Sequence, residues 1–181
     1  MGLSVDVICC TGCGFEAAIA PSRMRISYLL PSGALFAAKR ALGWCSKCEG
    51  FTDGESVPTP EGIRGQIESF IRSEHDRLKG EQSWVDRILQ RRIPEVEPPA
   101  DLGEALVVFS KRTSKARCLS CNSPGYEGLQ GGGGKQIDYP LHACGGRFEW
   151  KDPDPSGPLV TMRGQVLVLS VEGEVLHRKL V

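Results

Sequence analysis

Apolar positions along the chain alternate in places with period two and in others with a helical period. Residues 26–30 and 34–38 read as strands on either side of Pro31-Ser32-Gly33, a turn with proline at its start. Residues 52–60 are polar and contain proline, which predicts a module boundary. Beyond it Ile63, Ile67, Phe70, Ile71, Glu74 and Leu78 follow the stripe of an amphipathic helix, with Gly80 as its stop. Ser83 and Asp86 resemble a capping box that opens a second helix, carrying Trp84, Val85, Ile88 and Leu89 and ending at Pro94. After a stiff proline-rich break, Asp101 and Glu104 are placed to cap a third helix with Leu102, Ala105, Leu106 and Phe109; the Val107-Val108-Phe109 run is equally compatible with a strand. Residues 137–139, 147–150, 159–162, 165–171 and 174–180 are β-rich, and the last of these predict a hairpin tail extending the sheet beside it.

Eight cysteines in 181 residues change this picture. Six fall into CxxC units: Cys10 with Cys13, Cys45 with Cys48, and Cys118 with Cys121. A fourth cluster reads His142-Ala143-Cys144-Gly145-Gly146. Two intervening residues let both thiolates of a tight turn face one cation, and the residue after the second ligand often needs positive φ, which suits Gly14, Gly145 and Asn122. Two such half-sites close a tetrahedral site for Zn²⁺. Order along the chain pairs Cys10, Cys13, Cys45 and Cys48 in one site, and Cys118, Cys121, His142 and Cys144 in the other. His142 stands one residue from Cys144 rather than two, so His177 or Cys9 is an alternative ligand; Cys9 otherwise reads as a small buried hydrophobe.

With these knuckles the chain resembles the zinc ribbon fold group over about residues 4–57 and 115–151, and the resemblance implies two knuckles clamping a three-stranded antiparallel sheet in each module. The expected class is α+β: a zinc-ribbon-like module at 1–57, a helical region at 58–114, and a second module with its hairpin tail at 115–181. Trp44 is expected to pack over the first small sheet. Four protein donors per site point to structural zinc, since catalytic zinc keeps a position open.

The start of the chain has Asp6 and no basic side chain before an apolar stretch, so neither a signal peptide nor a myristoylation motif is expected. The expected compartment is reducing cytoplasm. No apolar run approaches a membrane span. Residues 124–136 fail the phosphate-loop pattern, with Leu129 in place of its first glycine, and read instead as a mobile hairpin loop. No hydrolase, kinase, deaminase or dinucleotide signature is present, which leaves an enzyme the least supported class. The 22 basic and 22 acidic side chains are spread evenly, and two zinc ions on seven thiolates lower the formal charge by about 3. The expected role is therefore a protein-interaction or adaptor module. Nucleic-acid binding through residues 111–117 (KRTSKAR) is the alternative.

Overall fold

The computed structural model describes residues 5–19, 24–81, 95–131, 136–151 and 164–180. Within them the chain is α+β: two helices and two sheets, mostly antiparallel. The strands are β1 (Asp6–Cys10), β2 (Glu16–Ile19), β3 (Met24–Leu29), β4 (Leu35–Cys45) and β5 (Gly50–Ser56), then β6 (Tyr126–Gly128), β7 (Gln130–Gly131), β8 (Gln136–Tyr139), β9 (Phe148–Lys151), β10 (Gln165–Leu169) and β11 (Val175–Leu180). The helices are α1 (Pro60–Glu81) and α2 (Ala100–Lys111). The second helix expected after Ser83 and the strand expected at 159–162 lie outside the described residues.

Two compact units are distinguished. One takes residues 1–29, 37–57 and 113–181, and the other 30–36 and 58–112. In the second unit, Thr59 starts α1: its hydroxyl accepts from the Gly62 amide at 3.0 Å, Pro60 holds the first helical position, and Glu61 sits in the first turn. Ile63 is fully buried. The helix runs through Gly80 instead of stopping there. In α2 the Val107-Val108-Phe109 run is helical, with Ala105 and Phe109 buried and the Phe109 ring 5.8 Å from that of Phe36. Neither Asp101 nor Glu104 caps this helix by a side-chain bond; Glu104 instead accepts from the Ser32 amide and hydroxyl in the turn before β4.

In the first unit the five-stranded sheet has the order β2-β1-β9-β8-β7, all neighbours antiparallel. Strands from near the two ends of the sequence therefore pair directly, Cys10 opposite Phe148 and Ile8 opposite Trp150. Ile8, Cys10, Ile137 and Phe148 form the buried face. Cys9 points the other way, half-buried on the outer face, where its thiol meets Glu149 at 3.7 Å; it is not the buried hydrophobe expected. Burial and the carboxylate of Glu149 both raise its pKa.

The other sheet runs β11-β10-β3-β4-β5, with β6 added to the far end of β4. Here two expectations need correction. The tail hairpin β10–β11 joins β3 in parallel register, Leu167 beside Ile26, rather than extending the sheet that carries β8 and β9. Leu167 and Leu169 on β10 are both wholly buried. The polar stretch expected as a boundary holds the division between the two units, after residue 57, while its first part is strand: Thr52–Ser56 lie within β5, paired with β4. Glu55 accounts for this, buried to 1 % exposure where its carboxylate accepts from the Tyr28 hydroxyl at 2.7 Å and the Arg117 amide at 2.9 Å. The expected loop at 124–136 contains β6 and β7, and within it Tyr126 is buried with its hydroxyl donating to the Ala41 carbonyl at 2.7 Å.

Side chains on β4 and β5 sort strictly to two faces. Leu42, Trp44 and Phe51 pack on the five-stranded sheet's core, while Gly43, Cys45 and Gly54 face Tyr126. A Cβ at either Gly43 or Gly54 would overlap the Tyr126 ring, so both glycines are fixed by close approach. Gly54→Ala should accordingly cost about 1–3 kcal/mol of unfolding free energy through overpacking, measured by denaturant titration of the metal-loaded chain.

Candidate metal centres

The knuckles at Cys10 and Cys118 are built alike from their backbone. The Cys10 amide donates to the Phe15 carbonyl and the Gly14 amide to the Cys10 carbonyl; Cys118, Ser123 and Asn122 repeat that pair of bonds. The reversal needs a left-handed residue after the second ligand, found at Gly14 (φ 71°), Asn122 (φ 58°) and Gly145 (φ 81°). Glu49 (φ 52°) fills the same place after Cys48, although nothing in its residue type announces it. The turn at His142 is one residue shorter, closed by His142 amide to Gly146 carbonyl and Gly145 amide to His142 carbonyl. The longer imidazole makes up the reach that the missing residue removes.

All eight expected ligands come together, but not in the expected pairs. The first knuckle meets the last, and the two middle knuckles meet each other: Cys10, Cys13, His142 and Cys144 form one tetrad, and Cys45, Cys48, Cys118 and Cys121 the other. Sequence order fails as a guide because β1 pairs with β9 and β4 with β6, which carries each half-site to a distant partner. Among the described residues neither Cys9 nor His177 belongs to a tetrad.

In the outer tetrad, named for the chain ends it joins, the Sγ atoms of Cys10 and Cys144 are 3.4 Å apart, and His142 Nδ1 lies 3.3 Å from both Cys13 and Cys144. In the inner tetrad Cys45 and Cys121 are 3.6 Å apart, and Cys48 and Cys118 3.8 Å. Every donor atom is within 4.8 Å of the others in its set. A tetrahedron of sulfurs about 2.3 Å from a cation has edges of about 3.8 Å, whereas a disulfide needs about 2.05 Å. The geometry fits a cation in each tetrad, and all eight cysteines are free thiols.

The surroundings differ. Cys45 and Cys118 are completely buried, and Thr52 on β5 sets its hydroxyl 3.8 Å from Cys118 Sγ. Sequence spacing did not single out Thr52; its place opposite Gly43 in the β4–β5 register puts it there. At the outer tetrad Cys13 and Cys144 are exposed, His142 is half-buried, and only Cys10 is buried. Gly12 and Gly146 meet across this tetrad so closely that a Cβ on Gly146 would stand 2.6 Å from Cys10 Sγ. The His142 ring stacks on Phe15 at 5.1 Å and meets Trp44 edge-on at 5.8 Å, which bears out the packing role expected of Trp44.

Amide donors prepare the sulfurs for charge. Burial works against ionisation of Cys121, but the Ser123 amide and the neighbouring thiols outweigh it and bring its pKa down to about 7. Cys48, which hydrogen-bonds to Cys121, is pushed up from the usual thiol range by that bond and by burial. At Cys10 burial is likewise outweighed, by the amides of Gly12 and Cys13, and its pKa falls. Each tetrad thus has one sulfur, Cys10 or Cys121, whose pKa is lowered, and a bound cation would favour deprotonation of the rest.

Inner-site strands β5, β4 and β6 form a three-stranded antiparallel arrangement with one knuckle at the β4–β5 turn and the other just before β6. The layout is the one the zinc ribbon resemblance implies, but its strands come from both expected modules, 1–57 and 115–181, rather than from one. No family model matches the chain, and neither curated proteins nor solved structures provide a match to it. No described helix is long and apolar enough to cross a membrane.

The crossed pairing is directly testable. The double variant Cys13→Ser with Cys144→Ser should lose one metal per chain, and Cys13→Ser with Cys48→Ser should lose both, as counted by native mass spectrometry. Pairing in sequence order would reverse the two results.

Proposed function

We propose that the chain is a non-catalytic zinc protein in which two structural Zn²⁺ ions brace a scaffold for protein–protein interaction. The observation that carries the metal reading is the convergence of seven cysteines and one histidine into two four-donor sets with near-tetrahedral edges. Soft sulfur with imidazole favours zinc among the common divalent ions, and four protein donors leave no position for a reacting water. The sheets support the structural role, because among the described residues the core beside the outer tetrad has four buried members.

The adaptor role rests on charge and on how the basic segment is used. Basic and acidic side chains balance, and metal binding adds negative charge. Within 111–117, Arg117 spends its side chain on the carbonyls of Glu172 and Asn122, and Ser114 also donates to Glu172. This segment braces the turn between β10 and β11, which weakens the case for reading it as a phosphate-binding strip. A cytoplasmic, reducing setting suits free thiols held for metal.

Elemental analysis should find two zinc ions per chain. At free zinc about 1,000-fold above Kd each site adds about 4 kcal/mol of stability, so chelation should lower the melting temperature sharply. Protons compete for the same sulfurs, so zinc retention should fall as pH drops from neutral, the thiolate forms being present above their pKa values and lost below them. The partner class is tested with the zinc-loaded chain as bait: recovery of a stable protein complex supports an adaptor, whereas a salt-dependent shift of oligonucleotides with no protein recovered would overturn it.

A further inference from the structure

We propose that the outer tetrad is an exchangeable metal site, taking up and releasing a zinc-class divalent cation while the inner tetrad retains its own. The inference deepens the two-zinc reading and rests on it. Three independent features of the chain distinguish the sites.

Access is the first. A chelator or competing thiol removes a bound cation by occupying a position as a protein ligand leaves, so exposed donors permit exchange. The outer tetrad has two exposed donors, Cys13 and Cys144, with His142 half-buried and Cys10 buried, whereas the inner tetrad has one, Cys48, with Cys121 half-buried and Cys45 and Cys118 at 0 %. Charge is the second. Three thiolates and a neutral imidazole hold a divalent cation with one fewer negative charge than four thiolates do, and so with less Coulomb attraction.

Anchoring is the third. Cys45 ends a strand paired on both edges, opposite Gly50 on β5 and Tyr126 on β6. Cys118 sits between backbone bonds from Leu119 to Asp53 and from Glu55 to Arg117, with the Arg178 guanidinium on the Leu119 carbonyl. The outer donors come instead from two surface turns whose mutual bonds are Thr11 with Arg147, amide to carbonyl at 2.9 Å, reinforced by the Thr11 hydroxyl. Cys10 belongs to the core with Ile8 and Phe148, so it stays in place when the other three donors let go. A vacated outer site can therefore refill without refolding the sheet, and cation supply sets the state of the two turns.

The test uses the full chain loaded with an NMR-active cadmium isotope, whose chemical shift separates a four-sulfur site from a three-sulfur, one-nitrogen site. Stepwise EDTA should abolish the mixed-ligand resonance first. With the zinc-loaded chain, a colorimetric chelator should draw one equivalent at least about tenfold faster than the other. Cys48→Ser should remove the slow equivalent and keep the fast one. Loss of the four-sulfur resonance first, equal rates for both ions, or disappearance of the fast equivalent in Cys48→Ser would each overturn the assignment. Uptake of fewer than two cations by the unaltered chain is a different result, which overturns the two-site reading beneath it.

Discussion

Trp44 and Cys45 are adjacent on β4, and strand alternation sends them to opposite faces. Trp44 enters the aromatic wall behind the outer tetrad, against Phe15, Phe51, Phe148 and His142. Cys45, fully buried, contributes its sulfur to the inner tetrad beneath Tyr126. One strand therefore serves both centres, and a slip of a single residue in its register would remove a ligand from one and the supporting ring from the other. Gly43 and Gly54 guard that register, since only glycine leaves room for Tyr126 to cross the ribbon.

The nested order of the ligands has an energetic consequence. Joining Cys13 to His142 in an otherwise open chain closes a loop of roughly 130 residues, but with the inner site already formed only about 50 residues remain free, a saving of about 0.8 kcal/mol in closure entropy. The β4–β5 ribbon also supplies Leu42, Trp44 and Phe51 to the core on which the outer knuckles rest. Both effects favour assembly from the inner site outward. The less anchored site is thus the one completed later.

Much of this was legible in the residues, and what was not has a common cause. All eight ligands and three of the four left-handed positions follow from local spacing and residue type, because a knuckle is a local structure. Helices α1 and α2 follow from apolar periodicity in the same way, and the strands at β3, β4, β8 and β9 from their apolar runs. The pairing of knuckles is not local: a CxxC turn presents two thiolates without specifying which others complete the tetrahedron. The parallel union of β10 with β3 is equally non-local. Thr52–Ser56 reads as polar linker because the partners that bury Glu55, Tyr28 and the Arg117 amide, lie 27 and 62 residues away.

Glycine 80 and Glu49 show the converse, where local preference yields to context. A glycine near a helix end costs about 1 kcal/mol relative to alanine and commonly stops the helix, yet α1 continues through it. Glu49 accepts a left-handed backbone that its side chain disfavours by roughly 1–2 kcal/mol. At a knuckle the alternative to that strain is loss of the close approach of Cys45 and Cys48 to the other two sulfurs of the inner tetrad, so closure of the β4–β5 turn outweighs it. The same reasoning explains why a polar residue suffices there: the position is exposed, and only its backbone takes part in shaping the site.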